Sequence, residues 1–217
     1  IKTKNLQNPY LGKKYDKNKI ISALDIYKSK IEYQLIDDSD ELNNLVCKYL
    51  IQERIIGWFQ DRMEFGPRAL GNRSIISSPI GPNIKNLINS KIKLRENFRP
   101  FAPSILEENV SDWFEKHVTS NYMSFVSKIK KEKKNLIPAV THVDGTGRLQ
   151  TVNSHQNKKF YNLIKKFYEI SNVPILLNTS FNENEPIVMS PENALECYLR
   201  TEMDFLVIDN FFINKKN

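Results

Sequence analysis

The chain has 217 residues, 40% of them apolar, and carries a net charge of +7 with a pI near 9.2. That apolar content is enough for a sizeable core, and no stretch approaches the roughly 20 uninterrupted apolar residues that a membrane span needs. Two cysteines, Cys47 and Cys197, exclude a disulfide framework or a thiolate zinc site; each lies among aliphatic neighbours and reads as a reduced core thiol, which suits a cytoplasmic protein.

Residues 1 to about 15 are polar and aperiodic and read as a linker or arm, with the folded unit taken as 16–217. The spacing of Ile20, Leu24 and Tyr27 predicts a helix over 16–30. A stronger helix is predicted over 38–52, where Asp38 and Glu41 form a capping pair and Leu42, Leu45, Val46, Tyr49 and Leu50 make the buried stripe. A strand is expected over 54–60, then a turn-rich segment at 64–67 and a second strand over 73–78. Pro82 suits the first position of a helix running to about Leu94, with Ile84, Leu87, Ile88 and Ile92 inward. The stretch 96–103 is expected to be irregular, because Pro100 and Pro103 both oppose helix. Strands are predicted over 122–129 and 148–152 around a lysine-rich loop, and an amphipathic helix over 157–171. The apolar run 173–177 ends in Asn178-Thr179-Ser180. Ser190-Pro191 opens a helix to about Arg200, and 205–208 closes as a strand. Helices and strands alternate without repeats, which predicts an α/β fold: one domain with a twisted mixed sheet flanked by helices.

A basic chain can serve nucleic acid, a membrane surface or small anions, and the distribution of charge discriminates among them. Lysine outnumbers arginine 24 to 8, yet five of the eight arginines (Arg62, Arg68, Arg73, Arg95 and Arg99) fall within 62–99. From 62 to 103 there are eight basic residues and two acidic ones, Glu64 and Glu96. Arginine is the planar cation that binds phosphate bidentately, so this clustering points to a concentrated anion site.

Three segments carry that chemistry. In 62–74, two glycines and a proline allow tight backbone geometry from which arginines project; the competing reading is a rigid turn whose arginines pair with surface acids. In 91–103, Lys91, Lys93, Arg95 and Arg99 surround a helix end. Favourable pairing with a helix C-terminus accounts for one or two of them, whereas charge moving onto pyrophosphate needs several fixed cations. In 174–182 an apolar strand ends abruptly in amide and hydroxyl side chains, as at the ligand sites of open α/β sheets, although the same residues also favour ordinary turns. A fourth segment, 142–148, holds His142 and Asp144; two possible ligands do not make a metal site, and a polar pocket wall is expected there. No GxxxxGK[ST] loop, GxGxxG fingerprint or Gly-x-Ser-x-Gly elbow is present.

The runs RMEFGPRALGNRSI (62–75), FRPFAPSILEE (98–108), HVDGTGRLQTV (142–152) and PILLNTSFNENEPIV (174–188) resemble the C-terminal region of the O-carbamoyltransferases that include nodulation-factor and tobramycin enzymes. The resemblance extends from about Asn8 to the last strand. It implies a YrdC-like domain that forms carbamoyl-adenylate from carbamoyl phosphate and ATP with Mg²⁺, for transfer to a hydroxyl acceptor by an N-terminal domain of the actin-like ATPase superfold. That domain, with its metal-binding histidines, has no counterpart in this chain. The resemblance further implies that Lys93 and Arg95 form the Lys-x-Arg element facing donor and phosphates, with Lys93 and Arg99 in the catalytic role. Arg68 and Arg73 join Arg99 on phosphate or carbamoyl oxygens, Arg148 is the pocket arginine, and Ser180 and Asn182 are the Ser-x-Asn element, flanked by Asn178 and Thr179. Two departures are visible: Glu183-Asn184-Glu185 where many members have glycine, and Gly147 where a larger small residue is common.

Two other readings stay open at this level. A nucleic-acid-binding module would use the basic charge with Phe98 and Phe101 as stacking faces. A ligand-binding domain that turns over nothing without its partner domain would share the same pocket.

Overall fold

The computed structural model describes residues 8–216. Residues 1–7 of the expected arm lie outside that range, and residues 9–15 lie along the 61–65 loop, where Gly12 N–H donates to Met63 O and Phe65 N–H to Pro9 O.

Local signals set most elements. Asp16 accepts from Lys19 N–H at 2.8 Å and opens α1 (Lys17–Ile26). The chain then turns into β1 (Ile31–Leu35), a strand just beyond the stretch expected to be helical. Its pattern of one buried and four exposed residues carries no alternation to read. Asp38 caps α2 (Ser39–Ile51) through Glu41 N–H. Strands β2 (Ile56–Phe59) and β3 (Arg73–Ser77) follow, buried along their whole length.

The helix expected from Pro82 to Leu94 is shorter and distorted. It comprises α3 (Ile84–Leu87) continued by one π-helical turn, Ile88–Ile92. Ile84, Ile88 and Ile92 are inward as expected, but the wide turn also buries the polar Asn89. A second correction is β4 (Ala102–Leu106), formed where the prolines suggested irregular chain. Pro103 lies near the start of that strand, one residue before its ladder to β6 begins, where proline is tolerated.

After the short α4 (Val110–Trp113) come β5 (Phe125–Lys128) and β6 (Thr146–Val152). Asn157 caps α5 (Lys158–Ser171), which ends on Asn172 in the left-handed conformation. Strand β7 (Ile175–Ser180) leads through a turn to α6 (Pro191–Arg200), capped by Ser190. The final pair is β8 (Phe205–Ile208) and β9 (Phe211–Lys215). They form a hairpin on the two-residue turn Asp209-Asn210, with Asp209 at φ 50°, the backbone that such turns demand.

The described strands form one mixed sheet in the order β1-β9-β8-β2-β3-β7-β4-β6-β5. Helix α5 packs on β4 and β7 and against α2; α6 packs on β2 and β8 and against α1. The two thiols, Cys47 on α2 and Cys197 on α6, are buried, and burial pushes both up to about 12. No helix among the described residues is long and apolar enough to cross a membrane.

The pairing directions decide where a site can form. Strand β7 runs antiparallel to both β3 and β4, and β6 runs parallel to β4. The starts of β3, β4 and β6 and the end of β7 therefore open at one end of the sheet. The four segments singled out in the sequence attach there. At the base of the first of them, Gly71 has φ 105°, and a Cβ on it would lie 2.3 Å from the ring of Phe160. Gly71→Ala is expected to cost roughly 2–4 kcal/mol through overpacking and left-handed backbone strain, read in thermal unfolding as a Tm lowered by about 5–15 °C. A variant that melts with the wild type means that this packing does not hold the loop.

Candidate functional site

The loop between β2 and β3 is organised by a buried acid. Glu64 is 5% exposed, and its Oε1 accepts from the N–H groups of Leu70, Asn72 and Arg73 at 2.7, 2.7 and 3.2 Å. Burial pushes its carboxyl up, while the backbone donors pull it down. Tyr10 Oη donates to Leu70 O at 2.8 Å, and Asn157 Nδ2 donates to Asn72 Oδ1 at 2.9 Å. The base of the loop is thereby fixed, and Arg68 stands exposed at its tip.

A buried amide does the same for the segment after α3. Asn89 Oδ1 accepts from Arg95 Nε at 2.7 Å, and its Nδ2 donates to Arg99 O at 3.0 Å. Arg95 lies over the ring of Phe101, 5.1 Å from the centroid. Phe101 is itself 3% exposed, so it supports the arginine and is closed to stacking on a base, which removes half of the aromatic support for the nucleic-acid reading. Arg99 is exposed and pairs with Glu96 at 3.0 Å. Between Lys93 and Arg95, Leu94 adopts φ 44°, a left-handed conformation uncommon for leucine, and the two flanking cations part company there.

Lys93 is 3% exposed and points under the end of β7. Its Nζ donates to Ser180 O at 2.6 Å, Asn182 O at 2.7 Å and Asn182 Oδ1 at 2.6 Å, with Ser180 Oγ at 3.3 Å. Ser180 Oγ donates in turn to Asn182 Oδ1, and Asn182 Nδ2 to Glu185 O. The Ser-x-Asn element is thus tied down from below by the lysine of the Lys-x-Arg element.

Arg68, Arg95, Arg99 and Arg148 converge on one cleft of about 250 Å³, with Asn178, Thr179, Ser180 and His142 in its walls. Among the described residues, none of those lining it is acidic. Burial lowers the pKa of Arg148, with Arg68 adding to the effect, and burial lowers Arg95 with Arg99 adding to it. These neighbours repel one another, so the cleft has a standing affinity for anions. Past Arg68 and Arg148 it continues into a recess of about 440 Å³ whose walls include Phe65, Tyr122 and Val126.

Of the residues expected from sequence, the structure brings together Arg68, Arg95, Arg99, Arg148, Asn178, Thr179 and Ser180 in the cleft wall. Lys93 and Asn182 form the layer beneath it. Arg73 stands apart: it is fully buried, its guanidinium lies 3.5 Å from the centre of the Phe59 ring, and it donates to Gln60 O, Asn72 O, Asp61 O and Lys13 O. Burial lowers its pKa to about 10. It anchors the loop and does not enter the cleft. His142 was expected only as part of a pocket wall; it lines the cleft, and its possible metal partner Asp144 is engaged by Thr146. The supporting polar residues Asn89, Ser104 and Gln150 were not singled out, and their one signal is a polar residue inside an otherwise apolar stripe.

Burial, with Arg95 adding to it, lowers the Lys93 pKa from 10.5 to about 7. Between these values the unfolded chain binds the additional proton, so this residue's contribution to stability rises with pH from about 7 to about 10.5. Lys93→Met is expected to flatten that part of the Tm-against-pH curve relative to the wild type. Parallel curves for the two proteins mean that Lys93 titrates as it does in the unfolded chain.

The chain is 45% identical over 185 residues to nodulation protein NolNO of Sinorhizobium fredii, covering 83% of this chain and 27% of that one. It is 44% identical to nodulation protein NolO of Bradyrhizobium diazoefficiens (83% and 34%) and 41% identical to an uncharacterised protein of Synechocystis (95% and 37%). The chain thus spans about a third of the length of these relatives. Among solved structures, full-length HypF in its phosphate- and nucleotide-bound form superimposes with a TM-score of 0.53 at 16% identity, over 86% of this chain and 22% of that one, a likeness of fold. The family model described as the carbamoyltransferase C-terminus matches residues 47–215, a span that includes all four arginines of the cleft, and the chain belongs to that family.

Proposed function

We propose that this chain is the adenylate-forming part of an O-carbamoyltransferase. The observation that carries the reading is the convergence of four arginine side chains on a cleft with no acidic lining residue. Two polyanions brought together in one site need such a set of donors, since guanidinium groups clamp phosphate oxygens bidentately and remain charged.

The balanced reaction has two steps. Water cleaves carbamoyl phosphate to carbamate and inorganic phosphate; a carbamate oxygen then attacks the α-phosphorus of ATP, and pyrophosphate leaves as the oxygen–phosphorus bond to carbamoyl-adenylate forms. Arg95 and Arg99, four residues apart on one segment, are read as holding the oxygens that gain charge in such steps. Arg68 and Arg148 flank the passage to the second recess, whose aromatic lining residues Phe65 and Tyr122 suit it to the base. The Thr179 hydroxyl, at the end of β7, is read as a donor to phosphate or ribose oxygens, while the Ser180 hydroxyl, which donates to Asn182 Oδ1, braces the end of the strand. Mg²⁺ is read as the counter-ion of the ATP phosphates: the lining residues offer it no carboxylate, and no step is assigned to it. Transfer of the carbamoyl group to a hydroxyl acceptor is assigned to an N-terminal domain of the actin-like superfold.

The test is pyrophosphate release by the purified chain with Mg-ATP, with and without carbamoyl phosphate. Release that depends on carbamoyl phosphate is expected, and Arg99→Ala, an exposed position that leaves the core intact, should lower kcat/KM by roughly 10²-fold. Release indifferent to carbamoyl phosphate, or a fully active Arg99→Ala, overturns the assignment. Binding of both substrates without turnover identifies the chain as a binding domain that works only with its partner domain.

A further inference from the structure

The cleft's cations account for the oxygens of its ligand, but two other atoms in the wall have the opposite character. Among the described residues, Asn178 Oδ1 and His142 Nε2 are buried and have no hydrogen-bond partner. Leaving a buried polar atom unpaired is costly, and the arginines around them can only donate, never accept.

Both atoms are fixed as acceptors by networks that reach into the protein. Asn178 is 1% exposed, and its Nδ2 donates to Gln150 Oε1 at 2.9 Å, Ser104 Oγ at 3.1 Å and Ala69 O at 3.3 Å. Gln150 Nε2 donates to Leu70 O at 2.9 Å, which turns its own Oε1 towards Ser104 and Asn178. Three acceptors around Nδ2 leave the Asn178 carbonyl oxygen as the end of the chain. At the start of β6, Thr146 Oγ1 donates to Asp144 Oδ1 at 2.7 Å, and Thr146 N–H donates to the same oxygen at 3.0 Å. With its proton committed to the carboxylate, Thr146 Oγ1 can only accept from His142 Nδ1, 3.0 Å away. The imidazole is therefore the Nδ1–H tautomer, with Nε2 a lone pair in the cleft wall; burial, with Arg148 and Lys85 adding to it, lowers its pKa against the opposing pull of Asp144 and favours the neutral ring.

We propose that Asn178 Oδ1 and His142 Nε2 receive the two N–H groups of a planar NH₂ on the ligand, and that this pair selects the carbamoyl amide over acyl groups that lack it. The assignment rests on the carbamoyl phosphate reading above. The same chemistry occurs in the exocyclic amine of adenine; aromatic residues line recesses on both sides, Phe98 beside His142 and Phe65 with Tyr122 beyond Arg148, and the nucleotide arm of the experiment separates the two ligands. A site built around hydrogen bonds to an N–H rejects the isostere that lacks it, because its own polar atoms are then left unpaired.

The experiment compares the binding of carbamoyl phosphate and acetyl phosphate, in which a methyl replaces the NH₂, and of ATP and inosine triphosphate, which lacks the amine, to the purified chain by calorimetry. The wild type is expected to prefer carbamoyl phosphate by at least about 10²-fold, and His142→Phe should reduce that ratio about tenfold without changing the ATP to inosine triphosphate ratio. Asn178 also closes a buried network, and its replacement risks the fold; Thr146→Val, which leaves the imidazole free to present N–H at Nε2, is the second variant and should reduce the ratio several-fold. If the wild type prefers carbamoyl phosphate and both folded variants keep the full ratio, the proposal falls and the functional reading stands. Equal binding of both acyl phosphates, with pyrophosphate release still dependent on carbamoyl phosphate, likewise overturns the proposal alone. Loss of nucleotide selectivity in the variants assigns the acceptors to adenine and overturns the proposal. Binding of neither acyl phosphate overturns the functional reading and the proposal together.

Discussion

Four guanidinium groups around one cleft repel one another, and the surrounding structure is arranged to oppose that repulsion. Among the described residues no acid lines the wall, and Glu96 pairs with Arg99 from outside it; rigidity is supplied from behind. Glu64 gathers three backbone N–H groups and fixes the loop that carries Arg68. Asn89 holds the Arg95 side chain and the Arg99 backbone. Arg148 is carried on β6, paired with Val126 of β5. The first two clamps are buried polar groups with several partners, the arrangement in which a low dielectric strengthens hydrogen bonds. The positive field is therefore built in before any ligand arrives, and an incoming polyanion relieves a repulsion that folding has already imposed.

The topology makes this possible. Antiparallel pairing of β7 with β3 and β4, together with parallel pairing of β4 and β6, places three strand starts and one strand end side by side. Segments far apart in the chain meet there without long excursions, and each is anchored in a largely buried strand. A polar cluster, Ser104-Gln150-Asn178, crosses three adjacent strands just below the opening. In a sheet otherwise filled mainly by Ile, Leu and Val, that cluster ties the register of the strands to the chemistry of the cleft.

Much of this was legible in the sequence because it is local. The caps at Asp38 and Ser190, the apolar stripe of α2 and the punctuated arginine loop all announce themselves within a few residues. What was not legible depends on partners distant in sequence. Among the described residues, strand β1 pairs only with β9, at the edge, and has four exposed residues of five. Strand β4 carries a proline that argues against it until its position at the strand start is known. Arg73 has the same residue type as the cleft arginines, and only the carbonyls of Lys13, Gln60, Asp61 and Asn72 reveal that it serves the loop. Lys93 was placed in the right neighbourhood but a layer too high. Its burial follows from the π-helical turn, which no local periodicity predicts, since the expected stripe of Ile84, Ile88 and Ile92 is kept through it.

That π-helical turn and the left-handed Leu94 bear on how the segment can change over time. Lys93 and Arg95 face different layers because a single residue with φ 44° separates them. An insertion or deletion of one residue here would exchange the buried ammonium for an exposed one and turn the guanidinium away from Asn89. The spacing between these two cations is therefore a fixed measure for the segment, and the count from Asn89 to Arg95 is set by the clamp that holds both ends.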